Sequence, residues 1–178
     1  QLMVDLRQTP EWGKWLSETG WVVDQVRVRG GGEVQIFIRP MPLLPISFFK
    51  LQRFEEEIDW QSLAEIKKRH HVLWSVMEPA TENVIPDIKK HGYRLTHEPY
   101  LPTKTRILDL TKSEGELLGG MSENFRRVIK KGMAAKMVPI SAGRFYEGWK
   151  RWAKSYILPR NQFESLVKTF GKKAEFWA

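Results

Sequence analysis

Two short segments of alternating character, Val22–Arg29 and Val34–Arg39, stand on either side of three consecutive glycines, Gly30, Gly31 and Gly32. A period of two places every second side chain on one face of a strand. Glycines between two such runs permit the sharp reversal that a hairpin needs. The chain is therefore expected to build its sheet from an antiparallel pair. The glycine run is not read as a phosphate-cradling loop, because such loops open a helix and this one opens a strand.

The flanking segments extend this start. Thr9 can cap a helix, Pro10 fits its first position and Glu11 suits its positive end, so a helix is expected up to Gly20. After the hairpin come a third strand (Phe48–Arg53), a helix capped by Asp59 and running to His70, and a buried strand (His71–Glu78). A helix over Thr81–His91 stops at Gly92, followed by a short extended stretch at Tyr93–Glu98 and a strand at Thr105–Leu110. The order α-β-β-β-α-β-α-β predicts an α+β, or mixed α/β, plan with a largely antiparallel sheet, compatible with a GNAT-like acyltransferase fold.

The rhythm then restarts. Thr111 is read as a helix cap, with helices over Glu114–Met121 and Glu123–Ala135, a strand-like Lys136–Ile140, helices over Arg144–Tyr156 and Gln162–Phe170, and a further strand from Lys173 to Ala178. A strand at the end of a chain leaves its pairing groups unaccounted for, so the chain is expected to be a fragment of a longer protein.

Charge divides the chain in the same way. Residues 1–110 hold 15 Lys/Arg and 15 Asp/Glu, whereas residues 111–178 hold 14 and 6, so the whole excess of +8 lies in the second part. An anionic partner is expected there, with a solvated basic surface as the plain alternative. In the helix over Glu123–Ala135, Phe125, Ile129 and Met133 recur at four-residue spacing and are expected to face a core. Arg126, Arg127, Lys130 and Lys131 fill the remainder. Like charges at i and i+4 cost a helix a few tenths of a kcal/mol per pair, which suggests the field has a use on phosphates.

Other chemistries find little support. The absence of cysteine excludes disulfides and thiolate chemistry and fits a reducing compartment. His70, His71, His91 and His97 form no metal-ligand spacing, and no metal or other cofactor is expected. The acidic run Glu55–Glu57 precedes a helix, where acids are ordinary. Trp149 and Trp152, three residues apart, are read as core packing. The most apolar stretch, Pro40–Phe49, carries three prolines and is too short to span a bilayer. No secretory signal is visible.

Four segments in order resemble the Fem family, the aminoacyltransferases that build peptidoglycan cross-bridges. They are TPEWGKWLSETGW (Thr9–Trp21), the Arg39–Pro42 strand end, MEPATENVIPDIKKHGYRLT (Met77–Thr96) and ILDLTKSEGELLGGMSENFRRVIKKG (Ile107–Gly132). The resemblance implies two GNAT-like lobes in tandem, with residues 1–102 the complete first lobe and 103–178 the start of a truncated second. It implies a bacterial, cytoplasmic enzyme that moves an amino acid from aminoacyl-tRNA to a UDP-linked or lipid-linked muropeptide precursor. Peripheral contact with the inner membrane surface is part of that expectation. By the same resemblance Arg126, Arg127, Lys130 and Lys131 are candidates for tRNA phosphates, and Lys14, Arg27, Arg39 and Arg160 for the precursor. No catalytic side chain is implied, since the family relies largely on positioning.

The sequence departs from the family pattern in two places. Val22–Val26 carries no Lys or Arg where the family has a basic residue, and the basic helix exits through GMAAK rather than a small residue and Gly. An acyl-CoA-dependent N-acyltransferase of the same fold and a nonenzymatic RNA-binding module are the other readings. The first lacks its Gly-rich pyrophosphate loop within these residues, and the second lacks aromatics arranged for stacking.

Overall fold

The Thr9 hydroxyl accepts a hydrogen bond from the Trp12 N–H at 3.3 Å and starts α1 (Pro10–Glu18), as the sequence predicts. The computed structural model describes residues 5–96, 108–133, 136–153 and 156–177. These form two compact units, one drawn from residues 1–101 and 158–173, the other from 102–157 and 174–178.

The first unit is built on a four-stranded sheet in the order β1 (Val22–Arg27), β2 (Glu33–Pro40), β3 (Ser47–Gln52), β4 (Val72–Glu78). The glycine turn joins β1 and β2 antiparallel, with Val26 opposite Val34, and β3 pairs antiparallel with β2. β4 runs parallel to β3. A parallel neighbour needs a long crossover, and α2 (Trp60–Arg69) supplies it. Asp59 caps α2 by accepting from the Gln61 and Ser62 N–H groups at 3.0 and 3.2 Å.

Alternation along the strands decides what each face does. Val26, Ile36, Ile38, Phe49 and Leu51 point to one side and pack with Leu63 and Ile66 of α2, together with Val84 and Ile88. This is the main core. At its edge Asp24 of β1 meets Arg69 at 2.9 Å and His70 at 3.0 Å, tying the outer strand to the end of α2. Burial pushes the Asp24 carboxyl up, but the Gln25 N–H, His70 and Arg69 together outweigh it and hold the group below its ordinary value.

On the other sheet face the ladder between β2 and β3 opens just past Ile36–Leu51. The Gln8 amide fills the gap. Its Oε1 accepts from the Gln35 N–H at 2.8 Å, and its Nε2 donates to the Gln52 carbonyl at 2.7 Å. The buried Gln35 side chain in turn donates to the Thr9 carbonyl at 2.8 Å. α1 lies over this region, and a Cβ on Gly13 would collide with the Gln35 side chain.

α7 (Arg160–Phe170) belongs to this first unit and packs on α1. The Trp15 indole donates to the Gln162 carbonyl at 3.1 Å, Ser165 bonds Glu18, and Lys173 pairs with Glu11, whose carboxyl that lysine holds below its usual value. Sequence reasoning had no means of placing this helix with residues so far upstream.

Several local expectations are corrected. Residues 81–91 form a 3-10 turn (Glu82–Val84) and then α3 (Ile85–Lys90), because Pro86 suits only a first helical turn and Thr81 makes no capping bond. Of the expected extended stretch Tyr93–Glu98, residues 93–96 pair with no strand and the remainder lies outside the described residues; the Tyr93 hydroxyl meets Ser75 at 2.8 Å, and burial raises its ionisation against that bond. Of the expected Thr105–Leu110 strand, residues 108–110 are irregular and the remainder lies outside the described residues.

In the second unit Thr111 is not the cap of the next helix. Ser113 caps α4 (Glu114–Gly119) in a reciprocal box with Glu116, while Thr111 bonds Asp109. α5 (Glu123–Gly132) is capped by Ser122, and α6 (Ala142–Trp152) starts earlier than expected because Ser141 caps it. The expected strands at 136–140 and 173–178 reduce to a single bridge, Pro139 with Trp177, among the described residues.

Candidate functional site

The register of the sheet places Arg39, Phe48 and Trp74 in one row across β2, β3 and β4, on the face away from the main core. Trp21, just before β1, joins them. Its ring meets Phe48 edge-on at 5.4 Å, and Phe48 stacks on Trp74 at 4.6 Å with only 5° between the planes. The Arg39 guanidinium lies 5.7 Å from the Trp21 ring centre and the Lys50 ammonium 5.6 Å. Lys50 reaches the same face because it is two residues from Phe48.

Arg39 is held in place. Its Nη1 donates to the Thr19 carbonyl at 2.6 Å. The adjacent Gly20 has φ of 88° and no side chain; a Cβ there would stand 2.8 Å from Nη1. The Gly-Trp pair after α1 therefore has a physical meaning, with glycine admitting the guanidinium and tryptophan receiving it. A fixed cation beside an open aromatic surface can take a flat group and an anionic group side by side. Sequence reasoning named Arg39 but missed Trp21, Phe48, Trp74 and Lys50 as a group. Their signal was the alternation of Phe48 and Lys50 against the buried Phe49 and Leu51.

The other precursor candidates stand apart. Lys14 is exposed on α1 and lines an open cavity of about 380 Å³ with Gln8, Val23, Gln25, Glu33 and Gln35. Arg27 lines a different cavity of about 540 Å³, beside the glycine turn and the start of α2, and is 3.4 Å from the Asp59 carboxylate. Trp60 and His91 stack at 3.8 Å in that second cavity. Arg160 lies in the first turn of α7, where its Nε donates to Glu164 at 2.9 Å. Lys14 and Arg27 thus do not share a pocket, and Arg39 is the candidate that sits within the aromatic row.

The basic helix α5 differs from expectation on its apolar side. Phe125 is 60% exposed and Met133 64%, Ile129 is half-buried, and α5 has no buried residue. Four-residue spacing defines a face but not what covers it. Arg127 donates to Asn124 at 3.0 Å, and among the described residues none of Arg126, Arg127, Lys130 and Lys131 is in an ion pair. In α6, Trp149 packs on Phe145 and the buried Tyr146, and Phe145 also meets Phe176 at 5.0 Å. Trp152 does not join that core. It is the last helical residue, beyond the reach of the cluster, and is 79% exposed.

A sheet of three antiparallel strands and one parallel strand, flanked by helices on both faces, defines an α+β class of GNAT-like fold. Within that class the chain is similar to the crystal structure of FemX, with a TM-score of 0.72 at 17% sequence identity. The likeness covers 95% of this chain and 50% of the FemX chain, so the chain spans about half the length of that protein. No sequence-family profile matches the chain, and no curated protein matches it. Among the described residues no helix is long and apolar enough to cross a membrane.

Proposed function

We propose that the chain is part of a Fem-type aminoacyltransferase that transfers an amino acid from aminoacyl-tRNA to a muropeptide precursor. The observation that carries this reading is the FemX-like fold over nearly all of the chain. On this reading the protein is a cytoplasmic bacterial enzyme of cell-wall synthesis, and the chain leaves the first lobe near residue 102 and returns to it for α7.

The precursor, UDP-linked or lipid-linked, offers a diphosphate. A cation fixed beside an aromatic surface suits such a group, and Arg39 with Trp21 and Phe48 provides that pairing. Lys14, Arg27 and Arg160 are proposed as outlying contacts. The exposed cations of α5 are proposed to meet tRNA phosphates, where salt-dependent, sequence-independent attraction is what a tRNA body requires.

The test is an aminoacyl-transfer assay on the protein made from the whole coding sequence, using labelled aminoacyl-tRNA mixtures and muropeptide precursors. A precursor heavier by one amino-acid residue, formed only with tRNA, is the expected product. Acylation from acyl-CoA would replace this reading with the N-acyltransferase. RNA binding unaffected by muropeptide, with no transfer from either donor, would leave a binding module.

A further inference from the structure

The loop between β2 and β3 carries its apolar residues outward. Leu43 is 103% exposed, with φ of 66°, and Leu44 is 54% exposed, while Met41 stands beside them. The loop is nevertheless ordered by its own bonds: the Met41 N–H donates to the Ile46 carbonyl at 2.9 Å and the Leu44 N–H to the Met41 carbonyl at 3.3 Å. Beside it β4 begins. Ser47 pairs with Val72, and its N–H donates to the His71 carbonyl at 3.0 Å. That contact brings the 70%-exposed Leu73 to the same end of the sheet.

Basic charge predominates at this end of the sheet. No acid occurs from Arg39 to Lys50 or from Ile66 to Met77, whereas the last turn of α2 holds Lys67, Lys68 and Arg69. Among the described residues Asp24 is the carboxylate paired with this cluster, through Arg69 and His70.

We propose that this end of the sheet docks on an anionic lipid surface, with the tip at Leu43 and Leu44 entering the headgroup layer and the α2 cations resting on the lipid phosphates. A protruding, ordered apolar tip with no pocket of its own fits a deformable surface, and basic charge around it selects an anionic one. Trp74, at the margin of the patch, has the half-exposed aromatic character found at bilayer interfaces. The inference gives a place in the fold to the peripheral membrane contact that the family resemblance implies, and vesicle binding tests it separately from aminoacyl transfer.

The chain has no cysteine, so Leu43→Cys places one thiol at the tip for an environment-sensitive fluorophore. Vesicles of phosphatidylcholine alone and with phosphatidylglycerol are the probes. The labelled protein is expected to brighten and shift to the blue only with the anionic vesicles. Cosedimentation of the unlabelled protein with those vesicles should fall at least tenfold in L43D/L44D, and about fivefold for each charge removed at Lys67 and Lys68. Circular dichroism melting should be unchanged in all variants, since these side chains are outside the core. An unresponsive label, vesicle binding indifferent to L43D/L44D, or a label that responds instead to protein concentration would each overturn the proposal, the last by assigning the patch to a second copy.

Discussion

Gly13 shows how closely one residue can be specified. A Cβ at this position would lie 2.1 Å from Gln35 Oε1, and Gln35 is buried with its amide committed to the Thr9 carbonyl. Gln35 can move only by surrendering that bond, so Gly13→Ala should destabilise the protein by about 1–3 kcal/mol in chemical denaturation. A neutral result would mean that the amide finds another partner. Asp24 makes a pH-dependent prediction. Its carboxyl is favoured in the ionised form by folding, so its contribution is complete above the ordinary Asp value, near 3.9, and is lost as pH falls through the lower native value. The melting temperature of Asp24→Asn should lie below wild type at neutral pH and converge on it in acid. Neither effect was legible in the sequence: Gly13 sits mid-helix, where glycine reads as a weakness, and Asp24 became important only when the end of α2 was brought beside β1.

At the level of elements, periodicity was a good guide where both neighbours were close in the chain. The Gly30–Gly32 hairpin, the Asp59 cap and the crossover helix could all be read from local pattern, because local pattern sets them. It failed for α5, where spacing identified an apolar face and the expectation of burial was wrong. It failed also for the short bridged segments at Pro139 and Trp177, whose pairing is set by tertiary context rather than propensity. The exposed cations of α5 give a direct test. If they meet tRNA phosphates, Lys130→Gln with Lys131→Gln should reduce the slope of log affinity against log salt by roughly 0.7–0.9 per charge removed, with little change in melting. An unaltered slope would show that these lysines are ordinary solvated surface.

Across the whole molecule, the fold class was legible and the membership of the first unit was not. The element order announced an α+β sheet, and the FemX likeness agrees with it. The return of α7 to α1 could not be read, since nothing in residues 160–170 names Trp15 as their neighbour. A chain ending before Leu158 should therefore uncover Trp15, now 5% exposed, and lose Phe163, now 4% exposed. Burying such a side chain is worth about 1.5–3 kcal/mol, so the truncated protein should melt earlier, with tryptophan emission shifted to the red. Unchanged emission would place the stability of α1 entirely in its contact with the sheet.

That return has a consequence for how the protein is made. Residues 102–157 are synthesised between the two parts of the first unit. At about 5–20 residues per second, the nascent sheet and α1 wait roughly 3–11 seconds on the ribosome before α7 is even translated. During that interval the Trp15 side of α1 is an uncovered apolar surface on a growing polypeptide, so a chaperone that holds apolar segments would act before α7 is made, and a pause in translation ahead of Leu158 would prolong the exposure.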